Sequence, residues 1–261
     1  MNINCNLEKL GFRYFKTSGA LTARTIMVDE LVTLLFGRPH DASLEDYRKD
    51  VEEFNLLRKP TENSRRYTFK PLISLYGLSP NLPIFRVFRE IWELDQNAQA
   101  LLCMQLAVAR DPYLYFSAKK LLGLLPGEIF TKEEFEEAVS NEFDGKFSKT
   151  SLESLVRNIS SSWSQAGYLE GKAKKYRAQP KATYVNIAYA LFLAHCHGLS
   201  GQRMFDSFWC QMLAQDKEHL FELAHRASLR GLINFKQVSE VIEVTFPNIE
   251  LPNVTQKEGE G

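Results

Sequence analysis

"TSLESLVRNISSSWSQAGYLEGKAKKYRA", residues 150–178, changes character halfway along. Leu152, Leu155, Val156, Ile159 and Trp163 recur at helical spacing and form one apolar stripe. The opposite side carries Ser154, Arg157, Asn158, Ser161, Ser162 and Gln165, which are small or hydrogen-bonding side chains with one long charge and no acid. That composition suits a helix whose outer face approaches something closely. Gly167 stops the helix, as a glycine in the left-handed conformation does. Tyr168 and Leu169 then enter a strand, Glu170-Gly171 turns it, and Lys174 to Ala178 returns.

The preceding segment, FTKEEFEEAVSNEF (130–143), reads as a shorter helix. Thr131 and Glu134 are spaced as a capping box, with Phe130 and Phe135 at the staple positions. DGKFSK makes a turn, and Thr150 with Glu153 are spaced as a second capping box. Helix, turn, longer helix and basic hairpin follow one another in the order of a winged helix-turn-helix. In that module the second helix enters the major groove of DNA.

Charge supports this reading. The chain has 32 basic and 32 acidic residues, yet residues 148–188 hold seven bases and two acids. Residues 131–147 hold two bases and six acids, and residues 189–261 hold six bases and nine acids. Phosphate contacts are short-range and screened by salt, so a local patch matters more than the overall balance. Lys172, Lys174, Lys175, Arg177 and Lys181 of the hairpin region are the expected phosphate contacts. Arg157, Asn158 and Ser161 are the expected base-facing residues of the helix. A second basic cluster, including Arg65, Arg66 and Lys70, lies in RKPTENSRRYTFK (58–70).

The rest of the chain reads as mainly α. Helices are expected over 17–37, 43–57 (with a Ser43–Asp46 cap), 83–93, 96–110 and 112–124. LLCMQLAVA (101–109) is too short for a membrane span and reads as a buried helix. Residues 203–230 keep helical spacing, and VIEVTF (241–246) suits strand or helix. The expected organisation is an N-terminal helical domain (1–127), a winged helix-turn-helix module with a small β-hairpin wing (128–188), a C-terminal helical segment (189–250) and a disordered tail (251–261).

The N-terminal stretch has no apolar signal region, and the four cysteines show no close pair spacing. A cytoplasmic protein with reduced thiols is expected. There is no GxSxG, Walker glycine loop or HExxH. His195-Cys196-His197 invites a metal reading, but neighbours two apart on a helix point to different faces. No metal, cofactor or enzymatic activity is expected.

TSGALTARTIMVDELVTLL, NLLRKPTENSRRYTFKPLISLYGL, FTKEEFEEAVSNEF and SLVRNISSSWSQAGYLEG, in this order, resemble BrxA-like proteins, small accessory proteins of BREX bacteriophage-defence systems. The resemblance covers roughly residues 14–195. It implies an all-helical, winged-helix protein that binds double-stranded DNA without known enzymatic activity. It implies that residues 58–70 and 172–181 are the contact regions, with other defence-system subunits as further partners. The chain beyond about residue 198 extends past the family's core. A protein-interaction scaffold whose winged helix docks a partner is the rival expectation, and a transcription regulator is a third.

Overall fold

Two apolar runs form the centre of the molecule. Residues 101–109 and 185–194 are buried throughout, within α6 (Gln99–Arg110) and α10 (Tyr184–Cys196). A helix that is apolar on every side needs neighbours on every side, and the remaining helices supply them. The two polar side chains between these helices satisfy each other. Gln105 donates to the Asn186 carbonyl at 3.0 Å, and Asn186 donates to Gln105 Oε1 at 3.3 Å and to the Ala98 carbonyl at 3.1 Å.

The computed structural model describes residues 3–143, 145–239 and 241–249, and it is mainly helical. Before α6 come α1 (Ile3–Leu10), a 3-10 turn at Ala20–Thr22, α2 (Val28–Leu35), α3 (Leu44–Glu52), α4 (Glu62–Tyr76) and α5 (Pro83–Ile91). After it come α7 (Pro112–Leu122), β1 (Ile129–Phe130), α8 (Lys132–Glu142) and α9 (Lys149–Gln165). The strands β2 (Leu169–Glu170) and β3 (Lys175–Arg177) lead into α10. The chain continues through α11 (Gln202–Phe205), α12 (Phe208–Gln211), α13 (Lys217–Leu229), β4 (Asn234–Val238) and β5 (Val241–Thr245). Among the described residues no helix is long and apolar enough to cross a membrane.

The first sheet has the order β1-β3-β2, with both pairings antiparallel. Tyr176 in its central strand lies opposite Ile129 on one side and Glu170 on the other. Gly171 makes the β2–β3 turn at φ +96°, and a Cβ there would lie 2.2 Å from the Lys174 carbonyl oxygen. Only glycine fits that turn.

Several expected boundaries are corrected. The helix over 17–37 begins only at Val28. Residues 20–26 instead give their backbone to three helices. Ala20 N–H donates to the buried Asp111 carboxylate at 2.6 Å, and Ile26 N–H donates to Ser162 Oγ at 3.0 Å. The Leu21 carbonyl accepts from Asn158 Nδ2 at 2.8 Å, and the Ile26 carbonyl accepts from Tyr76 OH. These partners compete successfully with helix hydrogen bonds, while Leu21 and Ile26 still reach the core.

The Ser43–Asp46 capping box is present. Thr131 stands at the N-cap of α8 but its side chain makes no capping bond, whereas the Phe130 and Phe135 rings meet at 4.2 Å. The box expected at Thr150–Glu153 is displaced: α9 starts at Lys149, capped by Ser148, whose hydroxyl accepts from Ser151 N–H at 3.3 Å. An expected boundary at residue 188 falls inside α10, and the segment 189–250 contains the β4–β5 hairpin as well as helices. The segment 251–261 lies outside the described residues. The buried side chains of the described parts belong to one hydrophobic cluster.

Candidate nucleic-acid interface

The candidate interface lies around α9, and three faces of this helix are already occupied. Leu155, Val156, Ile159 and Trp163 are buried. Trp163 donates from Nε1 to Ser117 Oγ of α7 at 2.9 Å and meets the Tyr168 ring edge-on at 4.8 Å. A second row, Asn158, Ser162 and Gln165, recurs at one-turn spacing and binds the 21–26 segment. Asn158 takes the Leu21 carbonyl, Ser162 takes the Ile26 N–H, and Gln165 Nε2 donates to Thr25 Oγ1 at 3.2 Å. A third edge faces the hairpin, where Lys175 Nζ donates to Ser164 Oγ at 3.0 Å.

The small polar side chains of α9 therefore serve mainly to let a loop lie close against the helix. Asn158 is corrected as a base-facing residue, because its amide nitrogen is spent on Leu21. Asn158→Ala is expected to cost about 1–2 kcal/mol through the stranded Leu21 carbonyl. It is expected to leave the ratio of affinities for two unrelated duplexes unchanged. Urea denaturation and paired binding titrations check both halves; an altered ratio with unaltered stability would contradict this placement.

Arg177 is also corrected. It is 4% exposed, its guanidinium lies over the Tyr168 ring at 5.1 Å, and it donates to the Ala178 carbonyl. Burial lowers its pKa, with the partner Tyr168 opposing the shift. It supports the hairpin from inside and is not a phosphate contact.

Arg157 and the three lysines of the hairpin tip meet in one place. A cleft of about 520 Å³ opens between the start of α8, the middle of α9 and the hairpin tip. Arg157, Lys172, Lys174 and Lys175 line it, as do Ser160, Ser161 and Thr131. Arg157 is exposed and touches Ser154 Oγ at 2.8 Å. Lys132, which sequence reasoning missed, joins them and pairs with Glu136 at 3.1 Å. Its position as first residue of an acidic helix concealed it, because α8 as a whole carries negative charge. Among the described residues, Glu133 is the one acid lining the cleft.

The other expected contacts lie elsewhere or are engaged. Lys181 is exposed on a separate depression beside Gln215 and His219. Arg65 is half-buried and donates to the Glu52 carbonyl at 3.0 Å. Arg66 is held between Glu62 at 2.5 Å and Glu52 at 3.7 Å. Lys59 of the same cluster pairs with Glu30 at 3.2 Å. Lys70 is exposed near the Tyr67 ring. Acids thus offset Lys59 and Arg66 within the cluster at 58–70.

The histidines at the end of α10 are packed among other groups. His197 Nδ1 bonds the Leu193 carbonyl at 2.8 Å, and Tyr14 OH meets its Nε2 at 3.3 Å. Burial lowers the pKa of both His195 and His197. Among the described residues no group of three or more His, Cys, Asp or Glu side chains is placed to hold a metal ion.

Compared with known proteins, the chain matches no protein-family model, and no curated protein matches it.

Proposed function

We propose that β1, α8, α9, β2 and β3 form a winged helix-turn-helix module that holds double-stranded DNA by its phosphates. The order of these elements and the β1-β3-β2 sheet support the module. One observation carries the binding: five cations from α8, α9 and the hairpin line a single concave cleft with one acid. Such a cleft focuses positive potential where a backbone passes. The engaged state of Asn158 supports positioning contacts over base reading.

The resemblance to BrxA-like proteins supplies the context: a non-enzymatic, cytoplasmic DNA-binding accessory protein of a bacterial anti-phage defence system. Neighbouring genes for a large methyltransferase, an alkaline-phosphatase-like protein and a large ATPase would support that assignment.

The binding is tested by gel retardation with two unrelated duplexes at low salt. Both are expected to shift, with affinities within about threefold of each other, since a base contact worth ~1–3 kcal/mol is lacking. Absence of any shift would favour a protein-docking scaffold. A preference well above tenfold would contradict the phosphate-only mode.

A further inference from the structure

We propose that a second surface, a groove between residues 14–16, α7 and the end of α8, binds an unpaired nucleic-acid strand. The groove encloses about 640 Å³. Five half-buried rings line it: Tyr14, Phe15, Tyr115, Phe116 and Phe143. Tyr14 stacks on Tyr115 with centroids 4.1 Å apart, Phe15 meets Tyr14 at 5.4 Å, and Phe116 meets Phe143 at 5.6 Å. The rings thus line the groove as two contacting sets, Phe15–Tyr14–Tyr115 and Phe116–Phe143.

Lysines stand over this lining. Lys119 Nζ lies 4.6 Å from the Tyr115 ring centre, and Lys16 Nζ lies 5.4 Å from that of Phe15. Lys16 is paired with Glu8 at 2.6 Å. Lys119 and Lys120 are exposed and, among the described residues, form no ion pair. Among the described residues, Glu142 is the one acid lining the groove. The lysines also suit the C-terminal end of α7, so they alone would define no site. The rings decide the occupant.

A single strand offers π-faces and phosphates together, and proteins that bind it combine aromatic platforms with a basic groove. A duplex presents no free base face to such rings. An acidic peptide satisfies the lysines but leaves the rings without stacking partners. The lysine ammonium groups now resting near the rings would move to the phosphates, and bases would take their place. This surface is separate from the cleft of the winged module and does not depend on the duplex-binding reading.

The test is fluorescence anisotropy with a labelled oligothymidylate and, in parallel, a blunt duplex, using the full chain. Loss of one stacking ring is worth ~1–3 kcal/mol, or roughly 5- to 150-fold in affinity. Phe15→Ala is therefore expected to weaken oligothymidylate binding at least fivefold and to leave duplex affinity unchanged. Lys119→Glu with Lys120→Glu, which alters only exposed side chains, is expected to weaken the same ligand and provides the test if Phe15→Ala fails to fold. Lys172→Ala with Lys174→Ala is expected to weaken the duplex alone. The proposal is overturned if the wild-type chain does not bind oligothymidylate at low salt. It is also overturned if folded groove variants bind it unchanged, or if polyglutamate competes as well as the oligonucleotide does.

Discussion

Trp163→Ala is expected to destabilise the protein by about 3–5 kcal/mol, the range for removing a large buried aromatic side chain. Trp163 is fully buried on α9, where it joins three elements: α9 itself, α7 through Ser117, and the residue leading into β2 through Tyr168. Truncation leaves a cavity and removes the donor to the buried Ser117 Oγ, which keeps its own bond to the Leu114 carbonyl. Because domains of this kind are stable by only ~5–15 kcal/mol, a large share of the total is at stake. Urea denaturation followed by circular dichroism measures it. Arg157→Ala, at an exposed position on the same helix, is the control and should shift stability by no more than about 0.5 kcal/mol. A loss below about 1 kcal/mol for Trp163→Ala would show that the contacts of α9 do not hold the module together.

The largest functional effect is expected from Lys172→Ala, Lys174→Ala and Lys175→Ala combined. Lys172 and Lys174 are exposed, and Lys175 is half-buried against Ser164, so the hairpin backbone should persist without them. Gly171 is untouched, and with it the turn. If each lost phosphate contact is worth about 1 kcal/mol, duplex affinity at low salt falls on the order of 100-fold. Arg177 is excluded from the set because its removal would undermine the hairpin. A folded triple variant with wild-type affinity would assign the lysines to another partner.

The sequence and the structure agree most closely where periodicity is strong. The apolar stripe of α9, the buried run at 101–109 and the hairpin turn at Gly171 follow from spacing and composition. The Phe130–Phe135 staple is also formed. What spacing could not show is which partner a polar side chain chooses. Asn158, Ser162 and Gln165 look like an outward-facing row, yet their partners come from residues 21–26, more than one hundred positions earlier. The same segment carries apolar residues at nearly helical spacing, but its backbone is drawn away by Asp111, Ser162 and Asn158. Long-range pairing likewise hid the neutralisation of Lys59 by Glu30. The cleft was half legible: its lysines stand out as a charge run, while Lys132 is masked by the acids that follow it.

The central claim, that this cleft holds duplex DNA by its phosphates, is tested most directly by the salt dependence of binding. Each phosphate neutralised contributes about −0.9 to the slope of log affinity against log salt. With Arg157 and the three hairpin lysines in contact, the wild-type slope is expected near −3 to −4, falling to about −1 in the triple lysine variant. Equal slopes in the two folded proteins would contradict the claim.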